Sequence, residues 1–131
     1  MNYEKKMNEI LKRNGIDVNI VYIGKSNCNW DKENLHDYYK VTLKRNNKNM
    51  SYDYYASIID TKKHNKPSNY DVVACLEWYK IYDFEDFCLS FGYDTDSIKA
   101  LKTYLDCQKQ QKELFNIVTE EEIREEIREI I

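Results

Sequence analysis

The sequence has little proline and little glycine: its 131 residues include one Pro and three Gly. This scarcity excludes collagen-like and other fibrous classes, and it argues against several domains joined by linkers. No apolar run approaches the ~20 residues that a membrane span needs. The opening residues, Met-Asn-Tyr-Glu-Lys-Lys, are polar and lack the apolar stretch of a signal peptide. We therefore expect a cytoplasmic protein with no membrane partner.

Cysteine and histidine are too scattered to indicate a metal site. Structural zinc sites usually need clustered thiolates, whereas the four cysteines contain no Cys-x-x-Cys pair, and neither histidine lies close to one. The sequence therefore predicts no metal and no other cofactor. A chain without an export signal is also a poor candidate for disulfides. Three of the cysteines are expected to be small core residues on helices: Cys75, Cys88 and Cys107.

Signals of catalysis are equally scarce. Only His36 and His64 are potential bases near neutral pH, and both fall in segments that we expect to be polar loops. The phosphate-binding, dinucleotide-binding and nucleophile-elbow glycine motifs are absent from the sequence. The sequence therefore predicts a protein that is not an enzyme. Replacing either histidine with alanine is expected to leave function intact.

What the sequence does have is ample apolar material and an uneven charge distribution. Hydrophobic residues make up 42%, enough for a core, and the length suits a single domain over residues 1–131. Residues 1–69 carry 13 Lys and Arg against 8 Asp and Glu, and residues 70–131 carry 7 against 15. Such asymmetry indicates either halves that attract each other within one fold or a partner chosen by charge.

The pattern of residues 1–60 predicts a helix followed by a β-meander. An apolar stripe over residues 3–13 ends at Asn14-Gly15, a helix stop. Residues 18–23 are β-branched and predict a strand, and residues 24–36, which include Trp30, are polar and predict a loop. Alternating residues then predict strands over 39–44 and 50–59 around an asparagine-rich turn at 46–49.

The pattern of residues 68–131 predicts four helices after a basic, linker-like stretch at 61–69. Capping signals mark their starts: Ser68 with Asp71, Asp83, residues 94–97, and Thr119 with Glu122. The fold class is therefore α+β: an N-terminal helix, a three-stranded antiparallel sheet, and four helices packed on it. Residues every third or fourth position line one face of the longest helix: Ala100, Tyr104, Cys107, Gln111, Leu114 and Val118. The expected core of this half comprises Leu76, Phe87, Phe91, Leu101 and Leu105.

Two surfaces are candidates for partner binding. If Tyr39, Val41 and Leu43 face the helices, the opposite sheet face presents Lys40, Lys44 and Tyr55, which suit phosphates and bases of a nucleic acid. The terminal helix is crowded with glutamates, and those at four-residue spacing, Glu121, Glu125 and Glu129, suit a basic groove on a nucleic-acid enzyme. Its isoleucine stripe at positions 123, 127 and 130 must dock either on its own domain or, as a homodimer, on a second subunit.

The amino-acid sequence of the C-terminal half resembles that of a known set of proteins. Tyr-Asp-Val-Val-Ala-Cys-Leu at 70–76 and Phe-Glu-Asp-Phe-Cys-Leu-Ser-Phe-Gly-Tyr-Asp-Thr-Asp-Ser at 84–97 are similar to segments of small, largely unassigned phage and prophage proteins. The likeness covers roughly residues 70–115. It carries no catalytic residues over to this chain, and it implies a phage genome as the setting.

That setting implies a function class. Small acidic phage proteins without catalytic motifs include inhibitors of bacterial defence, among them anti-CRISPR proteins, which bind a nuclease complex. The resemblance thus implies a non-enzymatic anti-defence protein in the bacterial host cytoplasm, with a Cas nuclease or effector complex as its partner. The alternative is a small nucleic-acid-binding accessory protein of phage replication.

Overall fold

The computed structural model describes residues 2–28, 31–56, 66–76, 78 and 83–131. Within these ranges the elements are α1 (Tyr3–Arg13), β1 (Ile16–Cys28), β2 (Asp31–Arg45), β3 (Lys48–Tyr55), α2 (Asn69–Ala74), α3 (Phe84–Phe91), α4 (Ile98–Ile117) and α5 (Glu121–Ile130). This order confirms the predicted α+β class with an N-terminal helix, a sheet and four further helices. The predictions for Trp30, His64, residues 57–59 and most of 61–69 lie outside the described residues.

The three strands form an antiparallel sheet in the order β1-β2-β3. Asn46, in the turn between β2 and β3, has a φ of 57°, a left-handed conformation that asparagine tolerates better than most residues. The predicted alternation of β2 is confirmed, because Tyr39, Val41 and Leu43 are all buried while Lys40 and Lys44 are exposed. One sheet face therefore covers the core and the other meets solvent.

The predicted loop at residues 24–36 is wrong, because most of it belongs to the β1–β2 hairpin. Lys25 pairs with Asp37 and Ser26 with His36, after a register shift between Tyr22 and Gly24. The Asn27 side chain donates to the carbonyl groups of residues 32 and 34, at 2.9 and 3.0 Å. The side chains of this segment are polar and form hydrogen bonds within the hairpin. The sequence therefore shows no alternation of apolar and polar residues here from which strands could be predicted.

Helix boundaries follow the capping signals in all but one case. The capping box of Ser68 and Asp71 is confirmed, and Asp83 and Ser97 each accept a backbone N–H at the start of α3 and α4. Gly92 ends α3 in the left-handed conformation, with a φ of 73°. The predicted capping box of Thr119 with Glu122 is wrong, because Glu120 is the N-cap of α5. The Thr119 hydroxyl instead donates to Oε1 of Glu120 at 2.7 Å.

The main core lies between the inner sheet face and helices α1, α2, α4 and α5. It includes Val41, Leu43, Leu76 and Leu114, each no more than 2% exposed. Ile123 and Ile127 are buried in it and Ile130 packs against it. The isoleucine stripe therefore docks on its own chain, the first of the two alternatives, and it does not supply a homodimer surface.

A second, smaller cluster holds α3 to the N-terminal half of α4. Phe87, Cys88 and Ala100 are buried there, and the Phe87 ring packs 5.8 Å from the ring of Tyr93 and 5.4 Å from that of Tyr104. The prediction that Phe87 and Leu76 are core residues is confirmed. The same prediction is wrong for Phe91, Leu101 and Leu105, which are 50%, 44% and 53% exposed.

The error at Leu101 and Leu105 has a geometric cause. The predicted stripe from Ala100 to Val118 is confirmed, because each of its members is buried or half-buried. A residue one position along an α-helix is rotated by about 100°, so Leu101 and Leu105 fall on a different face from Ala100 and Tyr104. Of the cysteines, Cys28 and Cys88 are buried and Cys107 is partly so, whereas Cys75 is exposed and is not a core residue.

Candidate partner-binding surfaces

Arg45, at the end of β2, positions α5 and its glutamates. Its guanidinium donates to the backbone carbonyls of Asn14 and Ile117, both at 3.1 Å, and forms an ion pair with Glu120 at 2.7 Å. Carbonyls at a helix C-terminus lack partners within the helix. Arg45 thus binds the C-terminal ends of α1 and α4 and, at the same time, Glu120 at the start of α5. The pKa of Glu120 is lowered, and the main cause is the side-chain hydrogen bond from Arg45.

The outward side of α5 is a row of carboxylates. Glu121, Glu125 and Glu129 are all exposed, on the side away from the buried isoleucines. Four residues along a helix advance it by about 6 Å, so the three charges follow one another along the axis. Glu125 forms an ion pair with Arg128 at 3.1 Å. We name Glu121, Glu125 and Glu129 the acidic row.

Basic residues of the first half meet acidic residues of the second at this end of the molecule. Arg13 bonds to Glu126, and the Lys48 ammonium donates to the carbonyl of Asn116 at 3.1 Å. The ion pairs of Arg13 with Glu126 and of Arg45 with Glu120 support the interpretation that the two halves attract each other. The acidic row is exposed, and Glu129 at its end also borders a groove that Lys6 and Arg13 line.

The outer face of the sheet is a balanced polar surface. Lys40 forms an ion pair with Asp53 at 3.1 Å, and Lys44 lies opposite Asp17 in the register of β1 and β2. The Tyr55 ring stacks on that of Tyr38, with 4.9 Å between centroids. Lys40, Lys44 and Tyr55 thus share one face as predicted, but acidic neighbours offset the positive charge that a phosphate backbone needs.

Tyr38 is part of the same network. Its hydroxyl donates to Asp53 at 2.8 Å, and this hydrogen bond, followed by desolvation, raises the pKa of Tyr38 to about 12. Asp53 therefore accepts from both a tyrosine and a lysine. A ring stacked on one neighbour and bonded to another is less free to stack on a nucleotide base.

A buried polar cluster lies at the far end of the β1–β2 hairpin, and its arrangement was not predicted. The His36 ring is 1% exposed; Nδ1 lies 2.7 Å from the carbonyl of Ala56, and Nε2 lies 2.8 Å from Asp31. Since a carbonyl and a carboxylate can only accept, this environment favours the doubly protonated, cationic ring, in which both nitrogens donate. The hydrogen bond to Asp31 is the main cause that raises the pKa of His36.

This geometry suits a structural cation better than a general base, which needs a free nitrogen lone pair. The adjacent carboxylate, Asp37, is also buried, and it accepts from the Tyr22 hydroxyl at 3.0 Å and from Lys25 at 3.4 Å. The adjacency of His36 and Asp37 in the sequence was a signal of this cluster, but the two side chains bind different partners. The prediction that His36 lies in a polar loop is therefore wrong.

We expect the cluster to make stability depend on pH. The pKa of His36 is raised from 6.5, so its contribution is complete below about pH 6.5 and is lost as pH rises through the folded value. The pKa of Asp31 is lowered from 3.8, so its contribution is present above that value and is lost on further acidification. The free energy of unfolding of the wild type should therefore fall as the pH rises above about 6.5.

The matched variant is His36→Asn, which cannot titrate in this range. Urea unfolding across this pH range should show a smaller fall for the variant than for the wild type. Parallel pH profiles for the two proteins would contradict the assignment of a cationic His36.

Comparison with known proteins adds no relative from which a role could be transferred. No protein-family model, no curated protein and no solved structure matches this chain. Among the residues that the structure describes, no helix is both long and apolar enough to cross a bilayer, and no group of three or more His, Cys, Asp or Glu is arranged to hold a metal ion.

Proposed function

We propose that this chain is a phage-encoded, non-enzymatic anti-defence protein, specifically an anti-CRISPR protein that binds a Cas nuclease or effector complex in the bacterial host. The observation that carries the proposal is the acidic row: three exposed glutamates on a helix whose opposite face is anchored in the core. The phage setting is what the wording at 70–115 implies.

The physical basis is electrostatic competition for a basic surface. A nuclease complex binds nucleic acid through lysine and arginine, and an exposed row of carboxylates is attracted to the same potential. Because Arg45 and the isoleucines anchor α5, the helix that carries the row is already ordered before binding, which favours affinity. Non-enzymatic inhibition of this kind needs no nucleophile, metal or cofactor.

The alternative, a nucleic-acid-binding accessory protein of phage replication, depends on the outer sheet face. Lys40 is already paired with Asp53 there, and the formal net charge of the chain is −3. Both features oppose binding of a polyanion. The acidic row is therefore the better-supported surface.

Charge reversal of the acidic row tests the proposal. With purified Cas effector complexes and their guide RNAs, the wild type should inhibit cleavage of target DNA by at least one complex. Glu121→Lys, Glu125→Lys and Glu129→Lys together should slow association with that complex by at least about tenfold, since electrostatic steering dominates the association rate. The thermal unfolding midpoint should stay nearly unchanged, because the three side chains are exposed.

The matched control reverses three exposed glutamates elsewhere: Glu4→Lys, Glu33→Lys and Glu85→Lys. This variant has the same net charge as the first, so a similar loss in both would indicate a nonspecific effect of charge. A gel-shift titration with bare oligonucleotides distinguishes the alternative function. Tight, salt-sensitive binding that is lost in Lys40→Ala with Lys44→Ala would contradict the anti-defence proposal and favour the replication role.

A further inference from the structure

Helix α4 presents a second patterned face, opposite to the one that packs into the core. Six exposed residues, spaced so that they fall on one side of the helix, form what we call the α4 outer face: Ile98, Leu101, Lys102, Leu105, Lys109 and Lys112. Its three apolar members are large and well exposed, with Ile98 at 77%, Leu101 at 44% and Leu105 at 53%. Apolar side chains aligned over two turns of an exposed helix mark an interaction surface.

The charge of this face has one sign. Its three charged residues are all lysines. The carboxylates within α4, Asp106 and Glu113, lie instead on the side that faces β3, where they line a groove with Ser51 and Asp53. Lys109 borders that groove as well, whereas Lys102 and Lys112 do not line it. The face therefore combines an apolar stripe with three lysines, and the carboxylates of its own helix lie at its edge.

The shape of the face suits a second helix. An open groove of about 650 Å³ runs along the C-terminal half of α4, and its lining includes Leu105, Lys109, Lys112 and Phe115. These positions recur at intervals of three or four residues, the spacing that receives the side chains of another helix in ridges-into-grooves packing. The groove continues the stripe that begins at Ile98.

We propose that the α4 outer face binds an amphipathic helix of a partner protein, whose apolar stripe is flanked by carboxylates. The apolar stripe of the partner covers Ile98, Leu101 and Leu105, and its carboxylates meet the lysines. The lysines lie among the apolar residues and not only at their margins, so carboxylates of a partner satisfy them, whereas insertion into a bilayer would bury them. This surface is separate from the acidic row and does not depend on it.

A designed peptide probes this recognition directly. The probe is a fluorescein-labelled, 18-residue helical peptide with leucine along one face and glutamate on both flanks, titrated with the full chain and followed by anisotropy. The control peptide has lysine in place of every glutamate. We expect saturable binding of the glutamate peptide, at least about tenfold weaker binding of the lysine peptide, and a marked loss of affinity at high salt.

Substitutions locate the binding. Leu101→Ser with Leu105→Ser should weaken binding of the glutamate peptide at least about tenfold, because both side chains are exposed on the face. The matched control is Leu89→Ser on α3, a leucine 82% exposed outside the face, and it should bind as the wild type does. In NMR spectra, addition of the glutamate peptide should change the backbone amide chemical shifts along α4 and not along α5.

Four outcomes would overturn the proposal. They are absence of binding to the glutamate peptide, equal binding of the two peptides, insensitivity to the double substitution, and binding to phosphatidylserine vesicles that competes with the peptide. A fifth outcome, sedimentation of the chain alone as a dimer that Leu105→Ser dissociates, would overturn it by assigning the face to a second copy. None of these outcomes bears on charge reversal of the acidic row, so the two proposals fail separately.

Discussion

Alanine at Leu114 should lower the free energy of unfolding by about 2–5 kcal/mol, whereas alanine at Leu105 should change it by less than about 0.5 kcal/mol. Both positions lie within α4 and both changes are Leu→Ala, so the helix-propensity term is matched. Leu114 is 1% exposed in the main core, and Leu105 is 53% exposed. The difference between the variants therefore measures burial alone.

Urea unfolding followed by circular dichroism gives both free energies, and the same dependence on denaturant in each variant shows that the unfolded reference is comparable. Equal destabilisation by the two changes would mean that the α4 outer face is part of the core in solution. Leu105→Ala also removes only apolar area from that face, so it separates stability from peptide binding.

Phe87→Ala is expected to release α3 from α4. The Phe87 ring is 3% exposed and packs on the rings of Phe91, Tyr93 and Tyr104 in a cluster separate from the main core. Truncation of a buried phenylalanine costs about 3–5 kcal/mol. Because α3 has no member in the main core cluster, this loss acts first on the local equilibrium that docks α3.

Native-state hydrogen exchange measures that local equilibrium. A loss of about 3 kcal/mol corresponds to roughly 100-fold faster exchange of α3 amides, while amides of β2 should change only a few-fold. Leu89→Ala, on the exposed side of the same helix, is the control and should leave α3 protection nearly unchanged. Uniform acceleration across α3 and β2 would instead show that the two clusters unfold together.

Core packing and the two proposed binding surfaces use different faces of the same helices. On α5 the isoleucines enter the core and the acidic row faces outward; on α4 Leu114 is buried and Leu105 is exposed. Each helix therefore offers surface substitutions that test binding without unfolding the protein. This division is what makes the acidic row and the α4 outer face experimentally separable.

Local signals in the sequence determined most of the secondary structure. Ser68 with Asp71, Asp83 and Gly92 mark helix ends through hydrogen bonds and dihedral preferences that span only a few residues, so they persist in the fold. The alternation from Tyr39 to Leu43 likewise fixed which sheet face is inward, since a strand has two sides and only one was apolar. The acidic row was also predictable, because the isoleucine stripe left the glutamates no other face.

Only the tertiary structure decided which side chains are buried where local pattern allowed more than one answer. Helix α4 carries apolar residues on two faces, and the inner one was selected by contact with α3 and the core. His36 and Arg45 are polar residues in a polar context, yet their partners, Ala56, Asn14 and Ile117, lie 20, 31 and 72 residues away in the chain. Pairings at such separations leave no periodic trace, because they arise when distant segments are packed against one another.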